Sequence, residues 1–345
     1  MSQAGFAAPG AHLVKPGAMG FNGGMTLRSL VLIACALLGP AGQATAQTYP
    51  DRAVRIVVPF AAGGPADVLA RILGEKLHAA WGQPVVVENR AGGGANIGTE
   101  YVARAAPDGY TLLLNASNHV INATLYDRIG YDPFRDFAPI TEVASYMLVL
   151  VVHPSVPATS LAEFVALAKA KPGGVTVGNA GLGTPTHLSG ALFAQAAGLD
   201  VVYVPYKGAA PANADLIGGQ VMAMFNNPVN ALPQVRAGGL RALAVTGAKR
   251  LGLMPELPTI AELGYPGYEA STWFGLFAPA KVPRDVAAKI HAEAARALQL
   301  PDVREKLVAQ GFDVLGSTPE EFAAVLKSEH AKWGALIRSA GLKVE

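Results

Sequence analysis

Val54-Arg55-Ile56-Val57-Val58 runs directly into Pro59-Phe60-Ala61-Ala62-Gly63-Gly64-Pro65-Ala66-Asp67-Val68. Much later the same plan recurs, with Val175-Thr176-Val177 leading into Gly178-Asn179-Ala180-Gly181-Leu182-Gly183-Thr184-Pro185-Thr186-His187-Leu188. Each segment is a short β-branched run, a glycine loop and a proline where the first helical residue belongs. This order commits both to strand–loop–helix units, which need a sheet covered by helices to bury their strands. Proline suits the first helical position because its missing N–H would have had no partner there. The glycines let the backbone approach another molecule closely. What remains is a helix start with free N–H groups and positive partial charge, which favours an anion. Two such starts facing each other across a cleft hold a small acid without lysine or arginine.

The rest of the chain keeps the alternation. Strands are expected at 54–58, 85–88, 110–114, 147–152, 175–177, 201–204, 223–225, 242–245 and 275–278. Helices are expected at 67–80, 98–105, 161–170, 186–197, 210–217, 285–298, 303–310 and 320–338. Strand–helix alternation of this kind implies parallel sheets covered on both faces. Two long strands, near Met147–Val152 and Trp273–Ala278, mark where the chain crosses between lobes. Lobe one is then 47–150 plus 274–345, and lobe two is 151–273, joined by two strands that form a hinge.

Apolar residues make up 51% of the 345 and charged residues 15%, enough apolar surface for a large core. Residues 1–46 read as a secretory leader. Met25-Thr26-Leu27-Arg28 is a positive start, Ser29–Leu38 a short apolar core, and Ala44-Thr45-Ala46 a cleavage site. The segment 1–24 reads as an extension ahead of a true start at Met25. Leu32-Ile33-Ala34-Cys35 resembles a lipidation box, but Leu37-Leu38 carry the apolar run past Cys35. Of the 27 basic side chains only Lys15 and Arg28 precede residue 47, and all 25 acidic ones follow it, so the remainder is formally neutral. That argues against nucleic acid, which needs a basic face.

Candidate site residues follow from the two loops and from other strand ends. Gly63, Gly64 and Asp67 form the first set, with Phe60 in the same loop; Asp67 either caps the helix or orders the loop. Gly181, Gly183 and Thr184 form the second, and His187 either donates to a ligand or packs against nearby backbone. Tyr206 and Lys207 follow a strand, where such sheets bind ligands, although Lys207 suits an ordinary surface as well. Asn118 and His119 follow the third strand, where amide groups suit ligand oxygens. Gly92-Gly93-Gly94-Ala95-Asn96-Ile97-Gly98 lacks the dinucleotide spacing and reads as a structural turn. No nucleophile elbow, phosphate loop or metal-binding histidine pair occurs in the sequence, so neither an enzyme nor a cofactor or metal site is expected.

Pro59–Asp67, Val85–Gly98, Ala106–Leu112, Thr186–Gly190, Val204–Gly208, Leu240–Thr246, Thr318–Phe322 and Lys332-Trp333 together resemble the Bug-type receptors. These are the periplasmic substrate-binding proteins of the tripartite tricarboxylate transporter family. The resemblance spans the chain after residue 46, in order. It implies an α/β, type II periplasmic-binding-protein fold of two lobes with a cleft between them. It implies a monomeric receptor that takes a small carboxylate to a membrane permease; a sensor that signals to a membrane kinase would have the same pocket. Asn226 stands where many relatives have aspartate, which points to a ligand without a cationic amine, such as a dicarboxylate or an aromatic acid. Pro65 replaces a common hydroxyl residue and removes one donor from the first loop.

Overall fold

The computed structural model describes residues 49–206 and 208–344. The expected leader 1–46, with Cys35, lies outside the described residues, as does Lys207. The chain builds β1 (Val54–Val58), α1 (Pro65–Trp81), β2 (Val85–Asn89), α2 (Asn96–Ala103), β3 (Thr111–Ala116), α3 (Asn118–Leu125) and β4 (Phe137–Met147). It then passes into β5 (Val149–Val152), α4 (Leu161–Ala170), β6 (Thr176–Asn179), α5 (Pro185–Ala197), β7 (Val202–Pro205), α6 (Ala209–Ile217), β8 (Ala223–Asn226), α7 (Pro228–Arg236) and β9 (Arg241–Val245). It returns through β10 (Ser271–Pro279), α8 (Arg284–Leu298), α9 (Pro301–Val308), β11 (Asp313–Val314) and α10 (Pro319–Ser339).

The strands make two sheets, ordered β11-β4-β10-β3-β1-β2 and β7-β6-β8-β5-β9. This is the two-lobe α/β fold that the sequence implied. Val54, Ile56, Val57 and Val58 are all fully buried, as a strand covered on both faces must be. The sheets are mixed rather than wholly parallel. β1, β2 and β3 run parallel, but β10 runs antiparallel to both β3 and β4. In the second sheet β6, β7 and β8 run parallel and β5 runs antiparallel to β8 and β9. β10 and β5 are the strands that arrive from the other sheet, so no helical crossover dictates their direction; the two-residue edge strand β11 also pairs antiparallel, with β4.

The sheet changes at one residue. Met147 pairs with Ser271 in the first sheet, and Val149 pairs with both Asn226 and Val245 in the second. The first crossing therefore falls at Leu148, earlier than the boundary expected at 150–151, and the return strand β10 starts at Ser271, before Trp273. Thr246 knots the two crossings. Its N–H donates to Leu148 O (2.9 Å), and its hydroxyl accepts from Leu148 N (2.8 Å) and donates to Ala270 O (2.6 Å). Ala270 N returns a bond to Thr246 O (2.9 Å). Thr246 and Leu148 are fully buried, and one contiguous core runs through this hinge from Val54 to Trp333.

β4, α3 and α7 are absent from the sequence reading for physical reasons. β4 carries Pro139, Thr141, Glu142 and Ser145 among its apolar residues, so its alternation is broken. Those polar groups are answered from afar: Thr141 Oγ1 donates to Ser317 O (2.7 Å) and Glu142 N to Ser317 Oγ (3.0 Å). α3 is only eight residues long and carries Asn118, His119 and Asn122 among its buried positions, while α7 contains Pro233, which ordinarily stops a helix. Gly93–Ala95 is a single 3-10 turn whose Gly94 carbonyl accepts from Asn122 Nδ2 (2.7 Å), a structural role.

Candidate functional site

A cleft of about 490 Å³ opens where the lobes meet. From lobe one it is walled by Phe60–Ala66 and Val68 after β1, by Ala116 and Asn118 after β3, and by Tyr146, Thr272, Phe274, Gln310 and Phe312. From lobe two come Ala180 and Thr184–Thr186, then Gly208–Pro211, then Asn227, Val229 and Asn230. Among these described lining residues no side chain is charged. Four helices, α1, α5, α6 and α7, begin on this wall at N-cap residues Gly64, Thr184, Gly208 and Asn227, and none of the four has a side-chain cap. Three of them carry proline at the first helical position, at Pro65, Pro185 and Pro228. Among the described lining residues, the wall is electropositive through backbone dipoles.

The first loop is held from behind. Asp67, 3% exposed, does not reach the cleft. Its Oδ2 accepts from Gly63 N (2.9 Å) and Arg71 Nε (2.9 Å), and its Oδ1 accepts from Asn89 Nδ2 (3.0 Å). Burial pushes its carboxyl pKa up. The bonds from Arg71, Gly63 and Asn89 and the charge of Arg71 outweigh that and hold it below the usual carboxylate value. Asn89 Nδ2 also donates to Phe60 O (3.1 Å), so β2 ties down the start of the same loop. Gly63 adopts φ +82°, a left-handed conformation that glycine takes without strain.

The second loop repeats the device with a different side chain. His187 occupies the same third helical position as Asp67, and its Nδ1 accepts from Gly183 N (3.2 Å). The ring is 2% exposed, packs edge-on to Tyr203 at 4.9 Å, and burial lowers its pKa to about 4. It is therefore a neutral acceptor that shapes the loop, placed behind the cleft wall. Gly181 N donates to Asn179 Oδ1 (3.0 Å), so the amides of Gly181 and Gly183 are occupied within their own loop. Thr184 Oγ1 donates to Gly181 O (2.6 Å) in place of capping α5. A Cβ on Gly183 would lie 1.9 Å from Leu125 Cδ2, so this glycine is where α3 of lobe one meets lobe two.

The structure thus brings Phe60, Gly63, Gly64, Asn118 and Thr184 together on one cleft wall, with Asp67 and His187 directly behind it. It leaves Gly181 and Gly183 in the wall's supporting loop. His119 lies elsewhere, fully buried and stacked on Phe277 at 4.1 Å, with Nε2 against Pro133 O (3.0 Å). Burial lowers its pKa to about 4, so it is a neutral core ring. Tyr206 turns from the cleft to donate to Asp215 Oδ2 (2.7 Å). Asn226 is fully buried; its Nδ2 donates to Asn213 Oδ1 (2.7 Å) and its Oδ1 accepts from Asn227 N (2.9 Å). The charge argument built on Asn226 therefore has no footing in the cleft. Lys207 lies outside the described residues.

The sequence reading missed Thr186, Asn227 and the aromatic wall Tyr146, Phe274 and Phe312. Their ring centroids lie 5.4–5.8 Å apart. Asn227-Pro228 was readable as one more cap-and-proline start, the same signal as Gly64-Pro65 and Thr184-Pro185. The aromatic residues carry no local signal, because strands from distant segments bring them together. Among the described residues no group of histidine, cysteine and acidic side chains is arranged to hold a metal ion.

The model of the tripartite tricarboxylate transporter family receptor matches residues 69–342. Protein BugT of Bordetella pertussis (strain Tohama I) is 38% identical over 321 residues, 92% of this chain and 98% of its own length. The structure of Rhodopseudomonas palustris Rpa4515 with adipate superposes with a TM-score of 0.80 at 37% identity, covering 86% of this chain and 99% of that one. MatC from the same organism, with bound malate, gives a TM-score of 0.76 at 33% identity, covering 84% and 100%. The chain belongs to the tripartite tricarboxylate transporter receptor family, and is a solute-binding receptor rather than an enzyme.

Proposed function

We propose that this protein is a periplasmic receptor that closes its two lobes around a small carboxylate and presents it to the permease subunits of a tripartite transporter. The observation that carries the reading is the cleft wall. Uncapped helix starts from both lobes meet there, and the described lining has no charged side chain. Backbone N–H groups at such ends bind carboxylates without the desolvation cost of a buried cation. Adipate, present with Rpa4515, and malate, bound to MatC, are both carboxylates. The lobes, 49–147 with 271–344 and 149–245, turn about the Leu148–Thr246–Ala270 knot, and a ligand that touches both favours the closed form. The leader read at residues 25–46 supplies the route to the periplasm, where the receptor acts as a monomer.

A thermal-shift screen of mono-, di- and tricarboxylates tests this. A ligand at one hundred times its dissociation constant adds about 2.7 kcal/mol of stability. Acids are expected to raise the melting temperature and uncharged sugars to leave it unchanged. A screen in which sugars or amines shift the melt and no acid does refutes the carboxylate assignment.

A further inference from the structure

We infer that Leu125 and Pro228 are closure residues: each seats one lobe on a glycine of the other, and together they set how readily the receptor closes on any cargo. The inference rests on the two-lobe receptor reading and goes beyond it, because neither residue lines the cleft.

The two seats share one construction. Gly183 of lobe two has φ +72° and Gly311 of lobe one has φ +85°, a conformation that favours glycine. At both, the opposite lobe also occupies the room a side chain would need. The place of a Cβ on Gly183 is taken by Leu125 of lobe one, and a Cβ on Gly311 would lie 2.7 Å from Cβ of Pro228 in lobe two. The exchange is reciprocal: lobe one gives the leucine to one seat, and lobe two gives the proline to the other. All four residues are buried. Parting the lobes exposes both contacts to water, at a cost that grows with the apolar area uncovered. Closing recovers that free energy without help from the cargo.

Each seat is coupled to the cleft wall. Leu125 ends α3, which begins at the wall residue Asn118. Gly183 precedes Thr184, Pro228 lies between Asn227 and Val229, and Gly311 lies between Gln310 and Phe312, all five of which line the cleft. Leu125 is braced from behind, since its main-chain oxygen accepts from Val344 N (3.0 Å) and Tyr126 bridges to Val344. Residues that touch no cargo act on the closed fraction alone. The apparent dissociation constant of every cargo then scales by one factor, whereas a wall residue changes the ranking of cargoes.

The test is calorimetric titration with succinate, adipate, citrate and benzoate, with dissociation rates from stopped flow. Wild type, Leu125→Ala, Leu125→Met and Pro228→Ala are compared, and circular dichroism melts confirm that each folds; Pro228→Ala carries the test if Leu125→Ala does not. Leu125→Ala is expected to weaken every acid that binds by the same factor, about fivefold or more, and Pro228→Ala by about twofold or more, with the loss in faster dissociation. Leu125→Met keeps the volume and should recover most of the affinity. Wild-type affinity in both alanine variants overturns the inference and leaves the carboxylate reading intact. A shift of more than about threefold in the ratio of two acids' dissociation constants also overturns it, because the residues then act on the cargo through the wall. Loss in Leu125→Met equal to that in Leu125→Ala overturns the seating role of Leu125. Absence of binding by all four acids to wild type defeats the carboxylate reading. The inference is then decided by small-angle scattering of the ligand-free proteins: a larger radius of gyration in Leu125→Ala than in wild type supports it, and an equal one overturns it.

Discussion

Replacing Asp67 by alanine separates the loop that shapes the cleft from the residues that line it. The carboxylate is nearly fully buried, stands outside the cleft wall, and accepts three hydrogen bonds. The Arg71 bond adds little, since that guanidinium is 56% exposed and screened by water. The Gly63 and Asn89 bonds go to a charged, buried acceptor and are worth about 1.5 kcal/mol or more each. The acid in the first turn of α1 adds about 0.5 kcal/mol against the helix dipole. Asn89 keeps its bond to Phe60 O, so part of the loss is recovered. The net cost is about 2–4 kcal/mol, or a drop on the order of 5 °C in the melting temperature of a chain this long. Because the folded pKa is depressed, this contribution is fully present above the ordinary carboxylate pKa and is lost as pH falls through the lower folded value. The gap between wild type and variant should therefore be flat above about pH 5 and close on further acidification. Affinity for the carboxylate found in the screen should fall at least tenfold, through a loosened Gly63–Gly64 bend. Asp67→Asn, which keeps an acceptor for Gly63 N, should lose less. Thermal denaturation across pH and calorimetric titration measure both quantities. A melt within 1 °C of wild type would refute the loop-holding role (about 0.6 kcal/mol on the same scale). A lowered melt with unchanged affinity would remove the loop from the site.

Three further outcomes can be checked by similar means. Gly64→Ala should fold at least as well as wild type, because φ is −81° and the new Cβ meets only Ala61 O at 3.6 Å, yet bind acids more weakly because it lines the cleft; Gly183→Ala, with φ +72° and Leu125 1.9 Å away, should instead destabilise the free protein. Glu142→Gln should stabilise the protein at pH 8 by up to about 3 kcal/mol. Burial first, and then the charge of Glu329, push the Glu142 pKa up to about 7, so the wild-type side chain favours the folded state at low pH and loses that benefit as pH rises to 7; denaturant midpoints for the two proteins should converge below about pH 4.5. Thr246→Val keeps the volume but leaves Leu148 N and Ala270 O without the hydroxyl, and should cost about 2–4 kcal/mol in a urea melt.

Much of the architecture was legible because it is local. β1 and α4 occupy the expected residues, and most other elements begin or end within two residues of the expected bounds. Glycine and proline around residues 63–65 and 183–185 announce helix starts whatever surrounds them. The long strand β4 escaped because the Thr141 hydroxyl and the Glu142 main-chain N–H find their partners on Ser317, far along the chain. The two histidines show the same limit. Third position on a helix suggested a donor at His187, but Gly183 N approaches its Nδ1 and makes it an acceptor. Position after a strand suggested a ligand contact at His119, but Phe277 and Phe137 enclose it.

The sequence alone determined the repeated strand–loop–helix units and their proline starts, since these follow from backbone sterics within a few residues; that Thr184 leaves its helix uncapped was decided by its bond to Gly181 O. It determined too that this chain resembles carboxylate receptors. Which helix starts share one cleft was decided only in three dimensions. Gly64, Thr184, Gly208 and Asn227 converge because the chain changes sheet at Leu148 and returns at Ser271. The sheet order that results is a property of long-range strand pairing, which no local pattern encodes.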